Sequence, residues 1–254
     1  MTTVAVLGLG EAGRLIAAGL VRAGATVRGY DPRVPATDGV VSCGNAAHAC
    51  QGAALVLSVN SAAHALGVLS EGLPGCAPGT FWADLNTAAP AVKQAVATAA
   101  GSRVRVVDVA LMGPVPPRGL QTPMTASGPA AGAFADAMRA FGASVEVIDG
   151  PIGAAATRKL LRSVFHKGLA AAVVEALAAG RAAGLEEWLS ADIGAALAQA
   201  DGATLERLVT GSRAHAVRRA DEMEAAAQLL DSLGVPARVT RASQDWLRDL
   251  SAQS

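Results

Sequence analysis

The N-terminal region has residue types and spacing that are typical of a dinucleotide-binding turn. An apolar, strand-like run is followed by the segment Gly8-Leu9-Gly10-Glu11-Ala12-Gly13, which opens a helical stretch. In a GxGxxG turn the first glycine permits the bend and the second lets the backbone approach a pyrophosphate. The third lets the helix pack closely on the strand. Because amides at a helix start attract phosphate charge, we predict that residues 8–13 bind a dinucleotide.

A carboxylate follows at the position where it can select the cofactor. Asp31 ends the second predicted strand, and a carboxylate there can accept hydrogen bonds from the adenine-ribose hydroxyls. Its charge would repel a 2′-phosphate, which favours NAD. Arg33 could instead pair with that phosphate, so NADP stays an alternative. We predict that Asp31, Pro32 and Arg33 contact the cofactor.

A helix that begins after Gly153 carries polar residues on one stripe. At 100° per residue, Lys159, Ser163 and His166 lie within about 60° of one another. The other side of the helix is apolar and contains Leu160, Leu161, Val164 and Phe165. The stripe is either a reactive surface or a solvated face.

Lysine is scarce in this chain. The 21 basic residues include three lysines, Lys93, Lys159 and Lys167. A lysine can exchange a proton near neutral pH when burial or nearby cations lower its pKa, whereas an arginine cannot. Lys159 is therefore the candidate general acid or base. Lys93 is interpreted as an ordinary residue of an alanine-rich helix.

A proline-rich loop is a candidate substrate-binding segment. It covers residues 108–119 and contains Met112, Gly113 and Pro114 at the point where it leaves a predicted strand. Open α/β sheets bind ligands at the carboxyl edge of their strands, and the loop amides could meet a substrate anion. The alternative is a rigid loop with a structural role.

The elements that must position these residues alternate between strand and helix. Apolar, β-branched runs predict strands at residues 4–7, 26–30, 55–59, 80–85, 104–109, 123–127 and 145–148. Helical patterns lie between them at 11–23, 88–100 and 130–141. Such alternation predicts an α/β fold with a parallel sheet covered on both faces, a Rossmann dinucleotide-binding domain of residues 1–150.

Residues 151–254 are predicted to form an all-α domain. Helical patterns cover 152–183, 186–200 and 203–233, and a last helix carries Trp246 and Leu250. A helix of some 30 residues is about 45 Å long, longer than a small domain is wide. We therefore expect a homodimer in which the helical domains pack together and help to form the substrate site.

Composition excludes several kinds of partner. The 21 basic and 21 acidic residues give zero net charge, which argues against a nucleic-acid or anionic-membrane surface. The longest apolar stretch, residues 169–184, is interrupted by Glu175 and Arg181, so no membrane span is predicted. No signal peptide is indicated, and a cytoplasmic protein is expected. The cysteines and histidines do not form a metal-binding pattern.

On these motifs the chain resembles the β-hydroxyacid dehydrogenases, which include 3-hydroxyisobutyrate and 6-phosphogluconate dehydrogenases. The likeness lies in residues 8–13, 84–90, 108–119 and 153–159. Residues 112–119 and 159–168 are more specifically similar to a branch of this family. That branch joins a 6-phosphogluconate-dehydrogenase-type NAD-binding domain to a helical C-terminal domain of unknown function.

The resemblance implies roles for particular residues. The catalytic lysine of the family falls on Lys159, Asn86 would stand near the nicotinamide ribose, and Val59 and Asn60 would lie beside the cofactor. Two positions depart from the family pattern. Met112-Gly113-Pro114 replaces the usual Ser-Gly-Gly loop, and Ser163 replaces an asparagine four residues after the lysine. The candidates for substrate binding are Met112, Gly113, Pro114, Ser163, His166 and Lys167.

The sequence thus predicts an NAD(P)-dependent oxidoreductase. Hydride would pass between nicotinamide and a small, anionic hydroxy acid or its oxo form, with Lys159 as general acid and base. Two alternatives remain. One is an imine reductase. Related folds perform that reaction with a different residue at the lysine position, so the lysine at position 159 argues against this alternative. The other is a dinucleotide-binding sensor or partner protein without turnover.

Overall fold

The N-terminal half of the protein is built on one eight-stranded sheet. A computed structural model describes residues 2–252. The strand order is β3-β2-β1-β4-β5-β6-β7-β8. The strands are β1 Thr3–Leu7, β2 Thr26–Tyr30, β3 Val41–Ser42, β4 Leu55–Ser58, β5 Phe81–Asp84, β6 Arg105–Leu111, β7 Met124–Ser127 and β8 Val145–Val147.

Helices connect these strands over both faces of the sheet. They are α1 Glu11–Arg22, α2 Ala46–Cys50, α3 Ala65–Gly72, α4 Pro90–Ala100 and α5 Ala131–Arg139. Alternate residues of β1 belong to two separate apolar clusters: Val4 and Val6 to one, Ala5 and Leu7 to the other. The predicted α/β architecture with a doubly covered sheet is therefore confirmed.

The sheet is not parallel throughout, which corrects the prediction. β6 and β7 pair antiparallel, with Asp108 opposite Ser127, while the other strand pairs are parallel. The connection between β6 and β7 is the proline-rich loop. A parallel return would need a crossover, usually a helix, and this loop contains just a short 3-10 turn, Gly119–Gln121. The chain therefore doubles back beside β6.

The C-terminal half is helical, as predicted. Its helices are α6 Ala154–Ala182, α7 Glu186–Ala198, α8 Gly202–Ala214, α9 Ala216–Ser232 and α10 Arg238–Ala252. The helix predicted for residues 203–233 is two helices, because His215 leaves the helical conformation with φ −125° and ψ 29°. After this break Arg219 donates to the Ser212 hydroxyl at 2.8 Å.

The chain divides into two compact units, and the division falls inside α6. The first unit ends at Arg162 and the second begins at Ser163. Lys159 therefore belongs to the first unit, with the sheet. By length and composition, α6 is a candidate for crossing a membrane. A single helix of this kind is weak evidence of a span, since helices that do not cross a membrane can have the same length and composition.

Inside the second unit, a carboxylate of α6 caps the start of α10. Glu175 accepts hydrogen bonds from the amides of Val239 and Thr240, both at 2.8 Å, and from the Thr240 hydroxyl at 2.7 Å. Burial raises the pKa of Glu175, but these hydrogen bonds outweigh it and hold the pKa below its usual value. The bonds satisfy amides that a helix start leaves without partners.

Candidate functional site

The glycine turn after β1 has the geometry that its spacing predicts. Gly8 has a φ of +102°, and a Cβ there would lie 2.1 Å from the Val59 carbonyl oxygen. A Cβ on Gly13 would lie 1.9 Å from the Gly8 oxygen. A Cβ on Gly10 would meet no atom within 4 Å. Gly8 and Gly13 are thus required by close packing, whereas Gly10 borders open space at the start of α1.

Asp31 fastens this turn to the end of β2. Its Oδ2 accepts from the Leu9 amide at 2.9 Å, and its Oδ1 accepts from the amides of Arg33 and Val34 at 2.8 and 3.1 Å. Burial raises the pKa of Asp31, but the three amide hydrogen bonds outweigh it and leave the pKa below its usual value. Asp31 therefore stays ionised throughout the neutral range.

A cavity of about 520 Å³ lies beside the turn. Its wall contains Gly8, Asp31, Arg33, Asn60 and residues of α3. This volume falls in the range of small-molecule and cofactor sites. Among residues 2–252, the buried Oδ1 of Asn60 has no hydrogen-bond partner, so it can accept from a ligand. These features fit a dinucleotide.

A second cavity of about 310 Å³ adjoins the first at Asp31, Pro32 and Arg33 and extends to Ser42.

The predicted cofactor residues Glu11 and Ala12 form the first turn of α1. Glu11 is exposed there and Ala12 is partly buried.

The two predicted asparagines are joined by a direct hydrogen bond. The Asn60 amide donates to the Asn86 Oδ1 at 2.6 Å. Both side-chain amides donate to the Ser58 hydroxyl, at 2.9 Å from Asn60 and 3.3 Å from Asn86. Asn86 is 3 % exposed. These hydrogen bonds hold the ends of β4 and β5 together beside the cavity.

Lys93 is buried close to the Asn86 turn. Its interpretation as an ordinary residue of an alanine-rich helix is therefore wrong. The side chain is 1 % exposed. Its Nζ donates to the Asp84 carbonyl oxygen at 2.7 Å and lies 3.2 Å from Asp84 Oδ1 and 3.5 Å from Asp108 Oδ1. Asp84 Oδ1 also accepts from the Asn86 amide at 2.9 Å. Since buried charges require partners, the two aspartates explain why a lysine is buried here.

Asp108 extends this network to the start of α6. Its Oδ2 accepts from the amides of Gly153 and Ala156, each at 3.0 Å, and from the Ser127 hydroxyl at 3.1 Å. The Ser127 hydroxyl in turn accepts from the Ala155 amide at 3.0 Å. Helix starts favour a carboxylate, both for its hydrogen bonds and for its charge. Two side chains of the sheet therefore hold the helix that carries Lys159.

The predicted substrate loop contacts α6 about two turns beyond this start. The Arg162 guanidinium donates to the Met112 carbonyl oxygen, and the Met112 amide donates to the Pro123 carbonyl oxygen at 2.7 Å. Gly113 is partly buried and Pro114 is exposed. Lys159 is partly buried on the same helix. The structure thus brings the loop and the lysine helix together through Arg162, a residue to which the sequence assigned no role.

The other predicted substrate residues lie in the second unit. Ser163 is partly buried, and His166 and Lys167 are exposed. The apolar side of this part of α6 is also exposed: 67 % for Leu161, 74 % for Val164 and 62 % for Phe165.

Within residues 2–252, no group of three histidine, cysteine, aspartate or glutamate residues could hold a metal ion.

Two family descriptions match the chain. Residues 3–148, more than half of the chain, match the NAD-binding domain of 6-phosphogluconate dehydrogenase. Residues 181–250 match a domain of unknown function. Comparison with curated proteins gives no match.

Solved structures of similar proteins cover nearly the whole chain. A conserved hypothetical protein from Sinorhizobium meliloti 1021 is 30% identical, with a TM-score of 0.63 over 98% of this chain and 88% of that one. A conserved protein of unknown function is 27% identical, with a TM-score of 0.62 over 99% of this chain and 98% of that one. Its description states structural similarity with 3-hydroxyacid dehydrogenases.

An enzyme with a known reaction shares the fold at lower identity. The imine reductase from Myxococcus stipitatus, in complex with NADP+, is 18% identical, with a TM-score of 0.84 over 99% of this chain and 95% of that one. At this identity the likeness shows the fold alone. The predicted family is confirmed by the first match: the chain belongs to the family defined by the NAD-binding domain of 6-phosphogluconate dehydrogenase, here joined to a helical C-terminal domain of unknown function.

Proposed function

We propose that the protein is an NAD(P)-dependent dehydrogenase or reductase that acts on a small hydroxy acid or its oxo form. The observation that carries this proposal is the anchoring of α6. Asp108 holds the first turn of the helix, Arg162 bonds the Met112 loop, and Lys159 lies between these two attachments along the helix. A proton-transfer group on a doubly fixed helix is preorganised for catalysis.

Lys159 is the proposed general acid and base. In the direction of oxidation its neutral amine takes the proton of the substrate hydroxyl, and in reduction its ammonium returns a proton to the carbonyl oxygen. A bound nicotinamide would supply or accept the hydride at the substrate carbon that bears this oxygen. The other basic residues of this segment of α6, Arg158 and Arg162, cannot take the role because a guanidinium does not deprotonate.

The predicted cofactor residues would hold the dinucleotide along one edge of the sheet. The amides of residues 8–13 would bind the pyrophosphate, Asp31 would accept from the adenine ribose, and Asn60 and Asn86 would stand at the nicotinamide end. NAD is favoured because Asp31 stays ionised. NADP is the alternative, since Arg33 lines both cavities and the Myxococcus stipitatus enzyme was crystallised with NADP+.

The substrate is proposed to be a small anion. Of Met112, Gly113 and Pro114, Gly113 would offer its backbone amide, because proline has no N–H and the Met112 amide already donates to Pro123. Met112 and Pro114 would shape the loop around the substrate, and Ser163, His166 and Lys167 would offer side-chain donors. Compared with a Ser-Gly-Gly pattern, the Met112-Gly113-Pro114 loop replaces the serine hydroxyl with a methionine side chain and adds a proline ring. The contacts with the substrate would therefore differ from those that the resemblance implies.

Residues 151–254 are proposed to form the substrate and dimerisation domain of a cytoplasmic homodimer. The exposure of Leu161, Val164 and Phe165 supports this proposal, because a contiguous apolar surface of this kind marks an interaction site. A second copy of the chain is the proposed occupant. Light scattering should give twice 25.3 kDa, and a stable monomer would contradict the homodimer.

A panel assay tests the reaction. The protein is mixed with NAD or NADP and a set of small hydroxy acids, and reduced cofactor is followed by absorbance. The reverse assay uses the oxo acids with reduced cofactor, and a third arm uses cyclic imines. Turnover of a hydroxy acid supports the proposal. Turnover of imines alone would favour the imine reductase alternative. Cofactor binding without turnover across the panel would favour a sensor.

A further inference from the structure

We infer that Lys93 is a positioning residue that couples the nicotinamide end of the cofactor site to the helix carrying Lys159. This inference deepens the proposed function and rests on it for the roles of Asn86 and Lys159. Lys93 itself is 1 % exposed, so it acts through its neighbours and does not contact substrate.

The first half of the coupling runs from Lys93 to the cavity. Lys93 donates to the Asp84 carbonyl oxygen and pairs with the Asp84 carboxylate, whose Oδ1 accepts from the Asn86 amide. The Asn86 side chain in turn accepts from the Asn60 amide at 2.6 Å. Asn60 lines the cavity of about 520 Å³. Each step is a hydrogen bond or ion pair between neighbouring groups.

The second half runs from Lys93 to α6. Its Nζ lies 3.5 Å from Asp108 Oδ1, and the other oxygen of the same carboxylate accepts from the amides of Gly153 and Ala156. Among the described residues, Asp108 Oδ1 has no hydrogen bond, so its ion pair with Lys93 is the stabilising contact that the structure gives it. Lys93 thereby fixes the carboxylate that holds the helix start.

The charge balance explains why a cation is needed at this point. Asp84 and Asp108 are paired positions of two neighbouring parallel strands, and both are 0–1 % exposed. Two carboxylates so placed repel each other at low dielectric. Without the ammonium group, the two carboxylates would move apart, and the asparagine turn and the helix start would lose their common anchor.

The test is Lys93→Met, which keeps an unbranched side chain as far as Cε and removes the ammonium group. Amide hydrogen exchange of the cofactor-free protein is measured on peptides covering residues 58–64 and 151–160. Affinities for NADH and for ADP-ribose are measured by calorimetry. We expect exchange in both peptides to rise at least tenfold relative to peptides from β1 and β2. NADH affinity should fall at least tenfold while ADP-ribose affinity stays within twofold, because ADP-ribose lacks the nicotinamide.

Exchange that rises uniformly over the sheet, or unchanged NADH affinity, would overturn the inference and leave Lys93 a residue of general stability. If Lys93→Met does not fold, Lys93→Gln retains a donor for the Asp84 carbonyl without the charge and is judged by the same two measurements. Neither readout depends on turnover. A wild-type protein that fails the substrate panel would therefore count against the proposed reaction without deciding the role of Lys93.

Discussion

Asp84 and Asp108 lie opposite each other on neighbouring parallel strands, and the ammonium group of Lys93 lies within 3.5 Å of a carboxylate oxygen of each. One carboxylate holds the Asn86 turn and the other holds the start of α6. The sheet edge therefore positions a cofactor-side group and a catalytic helix through one buried cluster. Since ligands bind at this edge in open α/β sheets, the cluster serves the site as well as the core.

Removal of the Asp108 carboxylate should destabilise the folded protein. Asp108→Ala deletes the hydrogen bonds to Gly153, Ala156 and Ser127 and leaves the buried Lys93 with one partner, so we expect the free energy of unfolding to fall by about 3 kcal/mol. Urea denaturation measures this loss. The control is Asp136→Ala, which removes the exposed ion pair with Arg139 and should cost less than about 1 kcal/mol. Equal losses in the two variants would contradict the account of the cluster.

The choice of cofactor should depend on Asp31. Asp31→Asn removes the negative charge that disfavours a 2′-phosphate, so we expect NAD affinity to fall about tenfold and NADP affinity to rise. Arg33→Ala is the matched variant, and it should weaken NADP without changing NAD. Because hydrogen bonds hold the pKa of Asp31 below its usual value, the carboxylate stays charged between pH 5 and 8, and wild-type NAD affinity should not change over that range through its titration. A wild-type preference for NADP that Asp31→Asn leaves unaltered would refute this assignment.

Arg162 should restrain the substrate loop. Arg162→Ala removes the bond to the Met112 carbonyl oxygen, so the loop should open more often. Arg118 lies exposed in this loop, and trypsin cleavage after it gives a readout that needs no substrate. We expect cleavage several-fold faster than in wild type, whereas Arg158→Ala on the same helix should leave the rate unchanged. An unchanged rate in Arg162→Ala would show that the bond does not restrain the loop.

Glu175 should make the second unit sensitive to acid. Its pKa is lowered in the folded state, so its contribution to stability is present above its unfolded pKa of about 4.3 and is lost as the pH falls through the folded value. Glu175→Gln should therefore destabilise the protein by about 1 kcal/mol at pH 7, and the difference should shrink below about pH 4. Thermal unfolding from pH 3 to 8 measures it, with the exposed Glu187→Gln as control. A difference that stays constant to pH 3 would argue against this role.

Much of the fold follows from local patterns in the sequence. Runs of β-branched residues identify seven of the eight strands, because a doubly covered sheet buries both sides of each strand. The missed strand, Val41–Ser42, has two exposed residues and carries no such pattern. The antiparallel direction of β7 depends on the path of the proline-rich loop, which residue types do not specify. The helix break at His215 has no proline or glycine at that position to signal it.

The candidate site, too, could be predicted from the sequence only in part. The glycine spacing and Asp31 are recognisable because their geometry is set within one β-α-β segment. Lys93 is not, because its burial depends on Asp84 and Asp108, which come from two different strands. A signal was present nonetheless: two acidic residues in strands predicted to be buried require a nearby cation. The helix between those strands contains the scarce lysine.

Lys159 transfers the proton in the proposed reaction, and the Lys159→Ala variant tests this role most directly. With the substrate that the panel identifies, kcat should fall by about 10²–10⁴, while NADH affinity stays within twofold of wild type. Arg158→Ala, one residue earlier on α6, should keep wild-type kcat. Activity of Lys159→Ala within tenfold of wild type would contradict the assignment.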